Sequence, residues 1–350
     1  MNQTVRFPTG TCSVSDDWSY KGMQVVYLEN DYLKIGILAG RGSDIFEFTY
    51  KPAAVDLMLR LPKGIQHPGK VFSQDRSTSN QFEDYYYGGW QEILPNSPAF
   101  RYRGASLGQH GEVSLTPWKH AIVMDSPQTV AVRLWTQPLR MPVRVEKTLT
   151  LHAGSATLHI SETLTNTAGT ALDVAWGHHV AFGLPFLAEG AVIRTNARWF
   201  EAEPMMPAHR RFQPGVRTAF PAALACDGSP DDVSTVPPAD APPYSEMGYC
   251  WEFPPSDRAW YALENQRKGI GFSLTWDAEV FRYLWYWQER YGTRDAPWWG
   301  NTYAVALEPW TIRWQADPAA AIRRGEWLQL AAGATCATNL EAAVYPVVNH

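Results

Sequence analysis

Two histidines and one glutamate stand in sequence contexts that suit proton transfer: His110 in LGQHGEV, His179 in GHHVAFG and Glu308 in VALEPW. Imidazole and carboxyl groups serve proteins as general acids and bases near neutral pH. An acid and a base on two sides of a small molecule can remove one proton while delivering another. Each residue alone is more often structural, so the hypothesis depends on all three together.

The two histidine contexts favour side chains that are aimed at a ligand. His110 stands between Gly108 and Gly111, which let the backbone pass close to a bound molecule. His178 and His179 are adjacent in an apolar segment, and neighbouring side chains of an extended strand point to opposite faces. At most one of them can therefore face a given groove, and the other needs a hydrogen-bond partner elsewhere.

Glu308 follows an apolar run and precedes Pro309. Because proline cannot donate a ladder hydrogen bond, we expect the ladder to end there, which would place the carboxylate at a strand terminus or a bulge. Desolvation beside an aromatic neighbour such as Trp310 would raise its pKa toward the range of a general base. A solvated glutamate at the end of a strand is the structural alternative.

Aromatic residues are abundant, with 16 Trp and 16 Tyr, several of them in the runs YYYGGW (85–90), YLWYW (283–287) and PWWG (297–300). Flat rings with polar edges suit the C–H faces and hydroxyl rims of sugars. Aromatic residues also dominate protein cores, so both roles are open for any one of them.

Short segments with period-two alternation recur between turn residues, whereas helical periodicity is scarce. The sequence therefore predicts an all-β fold, and a large β-sandwich can hold residues 1–350 in a single domain. The clearest strand candidates are the segments 24–30, 32–38, 44–50, 129–137, 144–152, 156–166 and 269–276.

One strand candidate, ATLHISETLTN (156–166), alternates imperfectly. Leu158, Ile160 and Leu164 can share one face, whereas the polar residues, Glu162 among them, mostly face elsewhere. We therefore expect one slip in the alternation of this strand.

Two segments are not predicted as strands. The Pro-rich stretch at about 201–245 shows little periodicity and is predicted to be a loop insertion that could cover a site. The segment DPAAAIRRGEW (317–327) is predicted to be a short helix, with Asp317 as its cap and Pro318 in its first turn.

The composition argues against several classes of protein. The 30 basic and 35 acidic residues are scattered and give a formal charge of −5, so nucleic acid is not an expected partner. No stretch resembles a membrane span or a secretory signal, which predicts a cytoplasmic protein without a membrane partner. The four cysteines are far apart and are predicted to be free thiols. Neither a dinucleotide fingerprint nor a P-loop occurs, so we expect no nucleotide cofactor.

The three contexts in this order resemble the aldose 1-epimerases, the galactose mutarotase-like superfamily, and especially its uncharacterised branch. That family shows a His-Gly in mid-chain, a His followed three positions later by Phe, and a Glu-Pro near the C-terminus. Here these are His110-Gly111, His179 with Phe182, and Glu308-Pro309. The similarity extends from GRGSDIFEF (40–48) through YYGGWQEILPN (86–96) to ALEPWT (306–311).

The resemblance implies a β-supersandwich whose site lies in a groove on the concave face of a sheet. It further implies that His179 is the general acid on the ring oxygen of a sugar and that Glu308 is the base on the anomeric hydroxyl. His110 would bind and orient the sugar. Ring opening and closure would then interconvert anomers with neither a metal nor a cofactor.

Two departures from the family pattern bear on the substrate. His178 replaces the asparagine that usually precedes the catalytic histidine, and GGWQEILPNSP is not the arginine-bearing stretch of a typical galactose mutarotase. The residues proposed to bind a small-molecule sugar or sugar derivative are Arg41, Arg76, Asn96, His178 and Gln288.

Other functions fit the same scaffold. A sugar isomerase, a carbon epimerase or a lyase would use the groove with different proton chemistry, and a non-catalytic carbohydrate-binding protein would use only its aromatic surface. A metal could find ligands among the histidines and Glu308. Adjacent histidines on a strand rarely chelate one ion, and no HxH or HxxxH spacing occurs, so no metal site is expected.

Overall fold

The computed structural model describes residues 10–73, 81–205, 207 and 209–347. The first fourteen strands are β1 Ser13–Tyr20, β2 Met23–Glu29, β3 Leu33–Leu38, β4 Asp44–Tyr50, β5 Val55–Asp56, β6 Trp90–Ile93, β7 Phe100–Tyr102, β8 Ala105–Leu107, β9 Lys119–Asp125, β10 Thr129–Thr136, β11 Val143–His152, β12 Thr157–Asn166, β13 Leu172–Val174 and β14 Gly177–Phe182. They are followed by β15 Ala191–Thr195, β16 Trp199–Ala202, β17 Arg217–Ala219, β18 Ala222–Leu224, β19 Pro230–Asp232, β20 Thr235–Val236, β21 Tyr244–Trp251, β22 Ala259–Asn265, β23 Ile270–Trp276, β24 Tyr283–Arg290, β25 Tyr303–Trp310, β26 Leu328–Leu330 and β27 Thr335–Pro346. The helical elements are a 3-10 turn Lys51–Ala53, α1 Gln81–Tyr85 and α2 Pro318–Arg323.

Two large antiparallel sheets contain most of the strands. The first has twelve strands in the order β1-β2-β3-β4-β6-β14-β25-β24-β21-β16-β17, with β5 paired to β4. The second has nine strands in the order β20-β15-β22-β23-β27-β12-β11-β10-β9. One hydrophobic cluster takes Ile37 and Leu307 from the first sheet and Leu149 and Leu274 from the second. The sheets therefore pack face to face, and the prediction of an all-β fold is confirmed.

The seven strand candidates are confirmed, and their bounds differ from the observed ones by one residue at most at either end. Alternation was a reliable signal because one face of each strand packs into the core while the other faces outward. In β11, every second residue from Val143 to Leu151 is buried. All four cysteines are free thiols, as predicted.

The expected slip in the alternation of β12 does not occur. Its buried residues follow a strict period of two, and Glu162 lies on the same inward face as Leu158, Ile160 and Leu164. The assignment of Glu162 to the other face was wrong because a charged residue can point into the interior where other side chains form hydrogen bonds or ion pairs with it. Those partners come from neighbouring strands and are described below.

The segment at about 201–245 is not one long loop. It contains the end of β16, the strands β17 to β20 and the start of β21. β17 extends the first sheet and β20 extends the second, so the segment lies along an edge of both. Short strands interrupted by proline lack the length to show a period, which explains why the sequence pattern did not indicate them.

The predicted helix at 317–327 is present but shorter. α2 runs from Pro318 to Arg323, and the carboxylate of Asp317 accepts a hydrogen bond of 2.9 Å from the N–H of Ala320. It ends just before Gly325, which has a positive φ. No helix in the described part of the chain has the length and apolarity to cross a membrane.

Glu308 is not at a strand terminus, which was one of the two positions predicted for it. β25 continues through Pro309, and its ladder with β24 is unbroken. The ladder with β14, in contrast, is interrupted between the Gly177–Trp310 and Ala181–Ala306 pairs. Proline fits in this central strand because the missing N–H coincides with that interruption.

Candidate active site

His179 and Glu308 stand opposite each other across the gap between β14 and β25. The pairing on both sides of the gap brings them to the same level, and Nε2 of His179 lies 3.5 Å from Oε1 of Glu308. Directly opposite residues of antiparallel strands point to the same face, so both side chains project from one face of the first sheet. His179 is 7% exposed and Glu308 is 2% exposed.

Two tryptophans hold the carboxyl group of Glu308 in place, one from β25 itself and one from β24. Nε1 of Trp310 donates a hydrogen bond of 2.9 Å to its Oε2. The indole of Trp310 stacks on Trp285 of β24 at a centroid distance of 4.3 Å. One carboxyl oxygen is thereby fixed by an indole, and the other is directed toward His179.

His110 reaches the same site from a loop. Its backbone is left-handed, with a φ of 57°, and its N–H donates to the carbonyl of Ser97 at 2.6 Å. The imidazole packs edge-on against Phe82 of α1, 4.5 Å between centroids, and lies 5.9 Å from the ring of His179. The three residues named from the sequence are therefore brought together.

Burial shifts the pKa of all three groups toward their neutral forms. It raises the pKa of Glu308 to about 8, although the indole N–H of Trp310 opposes the change. It lowers the pKa of His179 to about 3, helped by nearby His110, and it lowers the pKa of His110 to about 4. At neutral pH, the His179–Glu308 pair therefore carries one titratable proton. This proton is counted in addition to the N–H that a neutral imidazole always keeps.

A pair with one proton contains one acid and one base. The proton can lie on the carboxyl group or on the imidazole, and hydrogen bonds from a ligand to Glu308 would favour the carboxylate with an imidazolium beside it. The arrangement can accept a proton from one atom of a ligand and give a proton to a nearby atom. It can do so without a net change in its own charge.

A cavity of about 430 Å³ opens over the pair. Its size lies within the range of small-molecule sites. Most of its lining is aromatic or otherwise apolar, interrupted by a few polar groups. The lining residues are Phe82, Glu83, Tyr86, Ser97, Pro98, Ala99, Gln109, His110, His179, Met247, Trp285, Trp287, Trp298, Glu308 and Trp314.

Several polar atoms around the cavity are buried without a hydrogen-bond partner among the described residues. They are the hydroxyls of Tyr86 and Ser97 and the Nδ1 atoms of His110 and His179. Buried polar groups are nearly always satisfied, and each unmet donor or acceptor costs about 1–3 kcal/mol. A ligand with several hydroxyl groups, or ordered water, would form hydrogen bonds with these atoms.

His178 points away from the cavity, so its assignment to sugar binding is wrong. Its Nε2 lies 3.0 Å from Oε2 of Glu162, and its Nδ1 accepts a hydrogen bond of 3.1 Å from Nε1 of Trp90. Because an indole N–H can only donate, Nδ1 must be unprotonated, and the Nε2–H donates to Glu162. The two histidines face opposite sides of the sheet, as the alternation of a strand requires.

Glu162 and His178 belong to a charged network between the two sheets. Nζ of Lys147 lies 3.1 Å from Oε2 of Glu92, and Nε1 of Trp176 donates to the other oxygen of Glu92 at 2.9 Å. Lys147 is paired with Glu162 across β11 and β12. This interlayer network, Glu92, Lys147, Glu162 and His178, lies directly behind the strand that carries His179.

Arg41 and Gln288 do not line the cavity. Arg41 is buried, contacts Asp44 at 3.2 Å and donates to the carbonyl of Tyr85 at the end of α1. Gln288 is buried on the interior face of β24, where it bonds to the hydroxyls of Tyr244 and Tyr286. Their assignment to direct sugar contact fails because both side chains are committed to protein partners.

Asn96 and Arg76 complete the set of candidates. The side-chain amide of Asn96 donates to the carbonyls of Pro98 and Gly108, at 2.9 and 2.6 Å. It thereby ties together the two loop segments that carry Ser97 and His110 and is absent from the cavity lining. Arg76 lies outside the described residues.

Several lining residues were not named from the sequence. Tyr86, Trp285, Trp287 and Trp298 lie in the aromatic runs, so composition indicated them as a group without separating them from core residues. Phe82, Glu83 and Gln109 come from α1 and from the loop before His110, and no local pattern marks them. Their position depends on contacts between distant segments.

The fold is shared with solved structures at low sequence identity. A protein from Klebsiella pneumoniae described as a candidate aldose 1-epimerase matches with a TM-score of 0.72 at 15% identity, over 95% of this chain and 82% of the other. A galactose mutarotase-like protein from Clostridium acetobutylicum matches with a TM-score of 0.61 at 12% identity, over 96% of this chain and 99% of the other. A galactose mutarotase-like protein from Lactobacillus casei matches with a TM-score of 0.54 at 17% identity, over 92% and 100%. The architecture is thus a galactose mutarotase-like sandwich, as the resemblance implied.

Residues 20–344 match the family described as "Domain of unknown function (DUF4432)". The match covers most of the chain, and the protein belongs to this family. None of the curated proteins compared with the chain matches its sequence. Among the described residues, no group of three or more histidine, cysteine, aspartate or glutamate side chains is placed to hold a metal ion.

Proposed function

We propose that this protein interconverts the anomers of a free sugar by acid–base ring opening, the reaction of an aldose 1-epimerase. The observation that carries the proposal is the His179–Glu308 pair, 3.5 Å apart at the floor of a cavity with aromatic walls. An acid and a base so close can serve the C1 hydroxyl and the ring oxygen of one sugar, because both atoms are bonded to the same carbon.

In the forward step, the carboxylate of Glu308 takes the proton of the C1 hydroxyl, and the imidazolium of His179 gives its proton to the ring oxygen. The C1–O5 bond breaks, the former hydroxyl becomes the carbonyl of the open chain, and the proton has moved from His179 to Glu308 by way of the sugar. Rotation about C1–C2 and closure on the other face reverse both transfers. Each group is expected to contribute about 10²–10⁴-fold to the rate.

The other residues support this step in different ways. His110, held neutral by burial, orients a sugar hydroxyl through its ring nitrogen. Asn96 and Arg41 are positioning residues, since they fix the loop of His110 and the end of α1. The Trp287 and Trp298 rings, 5.1 Å apart, offer faces on which a pyranose ring can stack.

NMR exchange spectroscopy of the anomeric carbon, on a panel of free aldoses, tests the proposal. We expect faster exchange for at least one sugar with the wild-type protein, and no acceleration with His179→Ala or Glu308→Gln. Circular dichroism is used to check that both variants fold. Glu279→Gln, which changes an exposed glutamate, is the matched control and should retain full activity.

Two other results would contradict the proposal. A sugar that binds but exchanges no faster than in buffer would favour a carbohydrate-binding protein. A panel sugar that is converted into a new compound would favour an isomerase, a carbon epimerase or a lyase on the same scaffold.

A further inference from the structure

One wall of the cavity carries a continuous series of polar groups. Nε2 of Gln109 donates a hydrogen bond of 3.3 Å to Oε1 of Glu83. Gln109 precedes His110, whose N–H is bonded to the carbonyl of Ser97. The hydroxyl of Ser97 is fully buried and has no partner among the described residues. Glu83, Gln109 and Ser97 all line the cavity, and we call them the polar wall.

Another part of the cavity lining is apolar. Glu308 is paired with Trp285 across β25 and β24, and Trp285 and Trp287 project from the same face of β24. Met247 of β21 is paired with Trp287. All three line the cavity, and their strands lie beyond β25 from β14. The cavity therefore offers a ligand both indole rings and hydrogen-bonding groups.

Two carboxyl groups line the cavity, and Glu308 adds no net charge at neutral pH because it shares a proton with His179. The other carboxyl group is that of Glu83, and no arginine or lysine among the described residues lines the cavity. Lys63 donates to the main-chain carbonyl of Glu83 and does not belong to the lining. Burial raises the pKa of Glu83, and the side chains of Gln109 and Lys63 oppose this shift by stabilising the carboxylate.

We propose that the polar wall is a specificity subsite at which Glu83 accepts hydrogen bonds from sugar hydroxyls and disfavours sugar acids. The inference rests on the proposed function, in which C1 and the ring oxygen lie over His179 and Glu308. The remaining hydroxyls of the ring are then presented to Ser97, Gln109 and Glu83. A carboxylate that accepts hydrogen bonds binds neutral hydroxyl donors well and repels a second carboxylate.

The size of the repulsion follows from the small cavity. Any ligand group inside it lies within roughly 10 Å of the Glu83 carboxylate, which is about one Debye length at 0.1 M salt. A unit charge at such a distance from a partly buried carboxylate changes affinity about ten-fold. Uncharged aldoses should therefore bind better than the uronic acids of the same configuration.

The test compares D-glucose, D-galactose and D-mannose with their uronates. Dissociation constants are measured by intrinsic tryptophan fluorescence at low ionic strength and pH 7, for the wild type, Glu83→Gln and Glu279→Gln. Glu279 is an exposed glutamate that does not line the cavity and is the matched control. For the hexose that binds most tightly, we expect the wild type to prefer it over its uronate about ten-fold. Glu83→Gln should remove most of this preference, and Glu279→Gln should leave it unchanged.

The proposal is overturned if no hexose binds more tightly than its uronate, or if Glu83→Gln leaves the ratio as it is in the wild type. Anomeric exchange is recorded on the same samples, which separates the two hypotheses. Binding with the expected ratio but without exchange refutes the proposed reaction and supports the subsite. Fast exchange without the expected ratio refutes the subsite alone.

Discussion

His178 and His179 are neighbours in β14, yet their imidazoles serve opposite sides of the first sheet. Nε2 of His178 lies 3.0 Å from Glu162 between the sheets, and Nε2 of His179 lies 3.5 Å from Glu308 at the cavity. Because both rings belong to one strand, the interlayer network that anchors His178 also limits how far His179 can move. A rigid site on a central strand keeps an acid and a base within reach of the same substrate.

The pH dependence of the proposed reaction should follow the single proton of the His179–Glu308 pair. Above about pH 8, the pKa to which burial raises Glu308, the pair loses its proton and contains no acid. We therefore expect kcat/KM for anomeric exchange to be level near neutral pH and to fall about ten-fold per pH unit at higher pH. NMR exchange rates between pH 6 and pH 10 measure this, and a rate that rises through pH 9 would contradict the one-proton pair.

Trp310→Phe should move that fall in activity to higher pH. The indole N–H bonded to Oε2 favours the carboxylate form of Glu308, so its loss raises the pKa further while a ring remains to stack on Trp285. We expect about ten-fold lower kcat at pH 7. Trp327→Phe removes a different indole donor, one bonded to Gln315, and serves as the control. An unshifted profile in Trp310→Phe would show that this hydrogen bond is not coupled to the reaction.

The parts of the site that could be predicted from sequence are those marked by local context. His110, His179 and Glu308 were recognisable because glycine, proline and aromatic neighbours recur around them in a family pattern, and strand alternation correctly required His178 and His179 to face apart. The all-β fold followed from the same alternation. These signals are local because each strand has one face in the core.

The parts that could not be predicted depend on contacts between distant segments. Glu162 was predicted on the wrong face because its sequence neighbours do not show that His178 contacts it and that Lys147 lies opposite it in the interior. Arg41 and Gln288 are polar residues whose partners lie inside the protein, which their own sequence neighbours do not reveal. The alternation of a sequence indicates which side chains share a face of a strand. The partners of a buried charged side chain are known only once the fold is known.

Glu308→Gln should make the protein more stable at alkaline pH even though it removes the proposed base. Burial raises the pKa of Glu308 from 4.5 to about 8, so the folded protein holds this proton more tightly than the unfolded chain. The free energy of unfolding therefore falls as the pH rises toward 8, and the carboxamide has no such dependence. Between pH 6.5 and pH 9, the wild type should lose about 2 kcal/mol more than the variant.

Urea unfolding at several pH values measures this difference. The titration of His179, whose pKa burial lowers from 6.5, occurs in both the wild type and the variant and therefore largely cancels when the two are compared. Glu279→Gln removes an exposed carboxylate and should follow the wild type. Equal slopes for wild type and Glu308→Gln would mean that Glu308 is ionised in the folded protein.

Lys147→Met should destabilise the protein strongly. The ammonium of Lys147 lies 3.1 Å from Glu92, and Glu162 stands opposite it on β12, so its removal leaves buried carboxylates without a cation. Breaking a buried ion pair in this way costs about 3–5 kcal/mol. Burial already raises the pKa of Glu92, and the Lys147 charge opposes that rise, so in the variant Glu92 should become protonated more readily.

The double variant Lys147→Met/Glu92→Gln separates charge from packing. It removes both members of the pair, and the amide oxygen can still accept from the indole of Trp176, so we expect it to recover part of the lost stability. Arg144→Met breaks an exposed ion pair with Glu146 on the same strand and should cost less than about 1 kcal/mol. If chemical denaturation shows Lys147→Met to be no worse than Arg144→Met, the interlayer network does not hold the sheets together through charge.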